Sequence, residues 1–323
     1  MVLVSIARNP VPTDAISGHF KGYDGQPIRY AYWKTTSGGR KGTVCLFTGR
    51  SEFIEKYYEV IADLRRRGFS VATMDWRGQG GSVRVLRNSR KGYIRKFEEY
   101  EADVHNFMKQ IVLPDCPPPY FALAHSMGGH VILRMGTARN CWFDRMVLNA
   151  PMFEFSEKQL PFSFGMVKGV METMSLLGMG DRYVAGGSDR AWDEQPYEKN
   201  PLTSDRGRYD RSQAILKSAP ELGLGSPTVA WMRSACRSIV KIRDPLFPNQ
   251  IQVPVLIIGA GDDDVVSTRA TEDMSVRLKV GSHLVIPQAR HEIMQERDEL
   301  RLQFWAAFDA FVPGSKDIPI YKK

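Results

Sequence analysis

The stretch "YFALAHSMGGHVILRMG", residues 120–136, decides how the chain is read. Its first five residues are small or apolar and suit a strand buried on both faces, while "MGGHVILRMG" has the apolar spacing of a helix. Ser126 stands between the two. A hydroxyl gains nothing from burial, so the order strand, serine, glycine, helix reads as a sharp turn that lifts Oγ clear of a sheet. In so tight a turn the residues two before and two after the serine must be small, as Ala124 and Gly128 are, and Gly129 lets the helix lie close to the sheet. The helix N-terminus also favours negative charge at this spot.

The same rhythm runs outward from that stretch. "TVCLFTG" precedes a helical pattern through Phe53, Ile54, Tyr57, Ile61 and Leu64, and "FSVATMDWRG" precedes one through Phe97, Tyr100, Val104, Phe107 and Ile111. "RMVLNAPMF", "VPVLIIGAG" and "HLVIPQA" continue the series, and a closing helix is predicted through Ile293, Leu300, Phe304, Trp305, Phe308 and Phe311. Short apolar strands alternating with amphipathic helices predict an α/β fold with a mostly parallel sheet covered by helices on both faces. At the start, "HFKGYDGQPIRYAYWKT" alternates about Asp24-Gly25, a hairpin signal that predicts two antiparallel strands. Between 154 and 247 the rhythm breaks, and the residues rich in Gly, Pro, Ser and Met there are read as an inserted helical cap. The organisation expected is a core of residues 1–153 and 248–323 carrying that 154–247 insertion. Within it, Met166, Val167, Val170, Met171, Met174 and Leu177 share one helical face, and Val229, Trp231, Met232, Ile239 and Val240 give a second apolar helix. The methionine face reads either as packing or as the lining of an acyl-chain pocket, which flexible thioethers suit.

Composition narrows the function classes. With 43% hydrophobic residues over 323 positions the chain can bury a large core. No secretory signal pattern or membrane-length apolar run stands out, so a cytoplasmic location is expected. Cys45, Cys116, Cys141 and Cys236 have no paired spacing and read as isolated thiols rather than disulfides or a metal site. The formal charge is +8, with runs at Arg65 to Arg67 and from Arg84 to Lys96. No aromatic residues interleave with them as in a nucleic-acid-binding fold, so they read as a solvated face or, alternatively, as peripheral contact with an anionic membrane.

A serine at such a turn needs a base, and the base needs a carboxylate; on this type of sheet they follow in the order Ser, Asp, His. Beyond His130, which lies only four residues on, two histidines follow Ser126: His283 at a strand start, and His291 in the loop "QARHE" beyond that strand's C-terminal end, where open parallel sheets gather their active sites. His291 is therefore the candidate base. His125 and His130, flanking the serine, read as packing or hydrogen-bonding residues under the turn. The carboxylate lies in "VLIIGAGDDDVVS", where pattern alone leaves Asp262, Asp263 and Asp264 open.

With "TGRSEFIEKYYEV", "MDWRGQGGS" (74–82), "AHSMGGH" (124–130), "GDDDVV" (261–266) and "ARHE" (289–292), the chain resembles an α/β-hydrolase of the monoacylglycerol lipase type, and more closely the bacterial lysophospholipases of that group. The resemblance implies a serine hydrolase of lipid esters that needs no cofactor and no metal. It assigns the carboxylate to Asp263 and the base to His291, and it makes the backbone N–H groups of Arg50 and Met127 the oxyanion donors. Thr48 stands where many relatives have histidine and Ala124 where the usual motif has glycine, and neither change removes a catalytic atom. A lysophospholipid or monoacylglycerol suits a Met-rich cap, with Arg77, Arg84 and Arg87 available to an anionic bilayer or headgroup. Other readings are a thioesterase, a peptidase, or a binding protein that keeps the fold without its chemistry. In the cap only "NPLTSD" (200–205) matches the group.

Overall fold

The computed structural model describes residues 3–36, 41–160 and 162–315. Strands β1 (Ile16–Lys21) and β2 (Pro27–Trp33) pair antiparallel from Ile16 opposite Tyr32 to Lys21 opposite Pro27. Residues 22–26 connect them, a longer loop than a two-residue Asp-Gly turn, and Gly25 there takes a φ of +80°. The remaining strands are β3 (Thr43–Phe47), β4 (Ser70–Met74), β5 (Tyr120–His125), β6 (Arg145–Asn149), β7 (Val255–Ala260) and β8 (Gly281–Ile286). Together they form one eight-stranded sheet in the order β1-β2-β4-β3-β5-β6-β7-β8, parallel from β4 to β8. Every residue of β3, β4 and β7 is buried, which explains their continuous apolar runs: covered on both faces, they need no polar alternation.

The strand order locates the site. From β3 the chain steps to β4 on one side through α1 (Tyr58–Arg66). It then crosses back past β3 to β5 through α2 (Glu98–Phe107), a π turn (Met108–Val112) and the short α3 (Leu113–Asp115). Right-handed crossovers in opposite directions place α1 and α2 on opposite faces and open a crevice at the carboxyl ends of β3 and β5. The helix α4 (Met127–Met135) follows β5, α8 (Thr268–Arg277) follows β7, and α9 (Asp298–Phe311) closes the chain against α1, where Arg301 pairs with Asp63 at 2.6 Å. Ile293 lies outside α9, in a 3-10 turn over Ile293–Gln295.

Between β6 and β7 the described residues add helices and turns but no strand to the sheet. The helices α5 (Phe164–Leu176) and α7 (Val229–Arg243) pack through Val167, Met171, Val229 and Cys236. Unanticipated from the sequence is α6 (Arg206–Ser218), a charge-rich helix that buries Ile215 and Leu216 against Phe53. Its apolar residues are too few for a clear periodicity, so the helix follows from its Asp205 cap and its packing.

Candidate active site

Ser126 sits at the end of β5 with φ +51° and ψ −116°, outside the regions a non-glycine residue ordinarily occupies. Such a backbone costs about 1–3 kcal/mol and needs its surroundings to hold it. Its N–H donates to the carbonyl of Asn149 at 3.0 Å, and its carbonyl accepts from the N–H of His130 at 3.1 Å and of Met152 at 3.0 Å. The small neighbours are needed for reasons partly different from those expected. A Cβ on Gly128 would meet the backbone oxygens of Thr48 at 2.5 Å and Phe47 at 2.8 Å, so β3, rather than residue 124, demands glycine there. On Gly129 it would meet Pro151 at 2.9 Å, just past β6.

The loop after β8 brings His291 to this serine, with Nε2 at 2.9 Å from Ser126 Oγ and Nδ1 at 2.8 Å from Asp263 Oδ2. A ring whose Nδ1–H donates to the carboxylate carries no proton on Nε2 when neutral, so Nε2 accepts from the serine hydroxyl. The structure joins Ser126, His291 and Asp263 and leaves the other candidates elsewhere. Asp264 pairs with Lys158, and His283 Nε2 faces Thr271 Oγ1 at 3.1 Å. Asp263 Oδ1 also accepts the N–H groups of Val265 at 2.8 Å and Val266 at 3.0 Å. Burial alone would raise the Asp263 carboxyl; the imidazole and these N–H groups outweigh it and hold the group below the usual carboxylate range.

Two backbone N–H groups belong to the turns at the serine. Met127 N–H opens α4 and is among the first amides that no helical carbonyl reaches. Arg50 N–H, in the turn after β3, has no protein acceptor among the described residues. A Cβ on the preceding Gly49 would fall 3.2 Å from Ser126 Cβ, so the turn lies directly against the serine.

Beside the serine is a buried charged cluster that sequence reading missed. His125, expected only to pack or hydrogen-bond, has Nδ1 at 3.0 Å from Glu52 Oε2 and Nε2 at 3.2 Å from the carbonyl of His291. Both ring nitrogens face acceptors, an arrangement that favours the charged ring with a proton on each. Burial alone would lower the His125 pKa, and Glu52 outweighs it and raises it. Lys56 Nζ bonds Asp193 at 2.9 Å and Glu292 at 2.6 Å and lies 3.7 Å from Glu52. Burial, with Asp193 and Glu52 nearby, pushes the Glu292 carboxyl up to about 7. The only local signal was a lysine and glutamates inside the apolar pattern of "SEFIEKYY"; their partners lie too far along the chain to be read from it.

A cavity of about 400 Å³ opens on Ser126 and His291, more apolar than polar and within the range of small-ligand sites. Met152, Phe155, Leu160, Val184, Trp231 and Met232 form its apolar wall. The methionine face of α5 does not line it: Val167 and Met171 pack on α7, and Met166, Val170 and Leu177 face outward. Two of the arginines expected to meet a headgroup or bilayer are also engaged. Arg77 is locked between Asp103 and Asp24, each at 2.8 Å, and Arg84 binds the carbonyls of Gly78, Gly80 and Glu221, because burial requires each guanidinium to find acceptors. Among the described residues, no group of three or more His, Cys, Asp or Glu is placed to hold a metal, and no helix is long and apolar enough to cross a membrane.

Known proteins resemble this architecture along most of its length. Lysophospholipase L2 of Escherichia coli (strain K12) is 29% identical over 289 residues, which cover 87% of this chain and 83% of that protein. Phospholipase YtpA of Bacillus subtilis (strain 168) is 25% identical over 228 residues, 69% of this chain and 76% of its own. Among solved structures, a soluble variant of monoglyceride lipase from Saccharomyces cerevisiae, in complex with a substrate analog, superposes with a TM-score of 0.72 at 17% identity, covering 94% of this chain and 96% of that one. A thermostable carboxyl esterase from Bacillus coagulans gives a TM-score of 0.73 at 19% identity over 94% and 99%. The profile of the family described as serine aminopeptidase, S33 matches residues 38–298. A match over that span, on a sheet whose strand order places its crevice at Ser126, makes the chain a member of the serine aminopeptidase, S33 family with the α/β-hydrolase fold.

Proposed function

We propose that the protein hydrolyses carboxylic esters of lipids, as a lysophospholipase or monoacylglycerol lipase, through an acyl-enzyme on Ser126. The observation that carries this reading is the unbroken line from Asp263 through both nitrogens of His291 to Ser126 Oγ, at 2.8 and 2.9 Å, opening on a largely apolar cavity. His291 takes the hydroxyl proton as Oγ attacks the ester carbonyl, and Asp263 holds the ring and stabilises its charged form. The Arg50 and Met127 N–H groups receive the oxyanion, each worth about 3 kcal/mol because that charge develops only in the transition state. His291 then gives its proton to the departing alcohol, and a water activated by the same ring releases the fatty acid.

The names of the relatives, lysophospholipase L2, phospholipase YtpA and monoglyceride lipase, support a lipid ester as substrate. Residues 154–247 act in this reading as the cap, since Phe155, Leu160, Val184, Trp231 and Met232 from that segment wall the cavity. The setting we infer is cytoplasmic, at the surface of an anionic membrane. The exposed apolar side chains Phe162, Met166, Val170, Leu176 and Leu177 along and beside α5 support the membrane contact, together with the formal charge of +8. A fluorophosphonate is expected to label Ser126 and to lose that labelling in Ser126→Ala, with ester turnover falling in parallel. Turnover of monoacylglycerol by Ser126→Ala at the wild-type rate overturns the reading.

A further inference from the structure

The side chain of Arg50 has no role in acyl transfer, where only its N–H is used, yet it lines the same cavity as Ser126. Among the described residues it has no carboxylate partner. Other buried guanidiniums do: Arg29 has Glu55 and Asp75, Arg77 has Asp24 and Asp103, and Arg134 has Glu98 and Glu101. Arg84 also lacks a carboxylate, but it spreads its donors over several carbonyls. Arg50 makes one hydrogen bond, Nη2 to the carbonyl of Gly225 at 2.6 Å, and its Nε is buried with no partner. The ring of Trp231, 5.1 Å from the guanidinium carbon, and the Gly225 carbonyl fix the group in one orientation.

A largely buried cation without a counter-charge is costly. Burial accordingly draws the Arg50 guanidinium down to about 10, so it remains charged at neutral pH. A structural role would be filled at less cost by an apolar side chain against Trp231. Of its donors Nε is enclosed and Nη2 is held by Gly225, which leaves Nη1 to give a phosphate oxygen a charge-assisted hydrogen bond, in a cavity more apolar than polar.

Resting on the proposed lipid esterase reading, we propose that the Arg50 side chain binds the phosphodiester of a lysophospholipid while Ser126 attacks its ester. Arg50 thereby selects lysophospholipids over uncharged monoacylglycerols. The residue then serves the reaction twice, its N–H holding the oxyanion and its side chain holding the headgroup. In sequence the two functions are only one backbone bond apart, which couples headgroup binding to placement of the ester carbonyl.

The test compares 1-oleoyl lysophosphatidylglycerol with 1-monooleoylglycerol, which share acyl chain and ester, in the same mixed micelles. Arg50→Met and Arg50→Gln are expected to lower the ratio of kcat/KM for the two substrates by roughly 10- to 100-fold, the worth of one charge-assisted hydrogen bond, and Arg50→Lys to keep part of it. Reading a ratio removes any common loss from a disturbed N–H, and thermal melts of the three variants check that each is folded. Glycerophosphoglycerol is expected to inhibit monooleoylglycerol turnover by the wild type and not by Arg50→Met. An unchanged ratio in folded Met and Gln variants overturns the proposal, as does inhibition by inorganic phosphate without inhibition by the diester. If the wild type turns over monooleoylglycerol through Ser126 and ignores the lysophospholipid, the headgroup proposal fails and the esterase reading stands. Turnover that survives Ser126→Ala defeats the esterase reading instead.

Discussion

Single atoms separate the aspartates in the loop after β7. Only Asp263 reaches His291, while Asp264 is spent on Lys158 at the surface. Asp263→Asn is expected to lower kcat on the order of 10,000-fold, because an amide presents the wrong partner to Nδ1–H, and Asp264→Asn about twofold or less. Steady-state kinetics on one ester decides between them, and equal losses would remove the distinction. His125 carries a second prediction, in pH. Its pKa is raised in the fold, so its pairing with Glu52 stabilises fully below the unfolded value of 6.5 and is lost as pH rises through the higher folded value. Glu52 is held low by His125 and Lys56 against the upward pull of burial, so its share is present above 4.5 and lost only in acid. The melting temperature of His125→Gln should therefore fall further below wild type at pH 6 than at pH 9; an equal gap at both would show the ring to be neutral. Ser126 and His291 were legible because strand and turn patterns are local. Asp263 needed the family motif, and His125 escaped because its partners lie at positions 52 and 291, which no local pattern links to it.

At the scale of elements, the alternation of buried strands and helices was readable because a doubly covered parallel sheet writes unbroken apolar runs. The details that depend on contact were not. The π turn over Met108–Val112 extends α2 where a uniform helix was expected, and α5 turns part of its methionine face outward rather than toward the cavity, since periodicity identifies an apolar face without saying what covers it. Gly128 shows the same limit, its need arising from β3 across the sheet. Gly128→Ala puts a methyl against the backbone oxygens of Thr48, just past β3, at 2.5 Å and of Phe47, its last residue, at 2.8 Å, neither able to rotate away. The expected cost is about 1–3 kcal/mol of stability. A fall in kcat should accompany it, because the shifted β3 end carries the Gly49–Arg50 turn. Denaturant unfolding with kinetics tests this; wild-type stability together with wild-type kcat would mean that the turn at Ser126 has room to spare.

Across the whole molecule, the Lys56 ammonium ties together three distant parts of the chain: the turn before α1, Asp193 between β6 and β7, and Glu292 beside the base. Burial alone would lower the ammonium's pKa, but Asp193, Glu292 and Glu52 outweigh it and raise it, so the group stays charged and shared. Removing a buried charge strands its partners, which costs about 3–5 kcal/mol, more than the pair itself contributes. Lys56→Met would leave Glu52, Asp193 and Glu292 together with only His125 to offset them. The variant is thus expected to melt well below wild type at pH 8. The sign of its pH dependence follows from Glu292, already pushed up to about 7 and raised further without the ammonium. A carboxyl that binds its proton more tightly in the fold favours folding as pH falls, so the gap between variant and wild type should narrow toward pH 5.5. Adding Glu292→Gln to Lys56→Met should recover part of the loss at pH 8 and make the gap less dependent on pH. If Lys56→Met melts with wild type at pH 8, the cluster holds nothing together, and the joining of the β6–β7 segment to the sheet must come from apolar contacts such as Phe53 on Ile215 and Leu216.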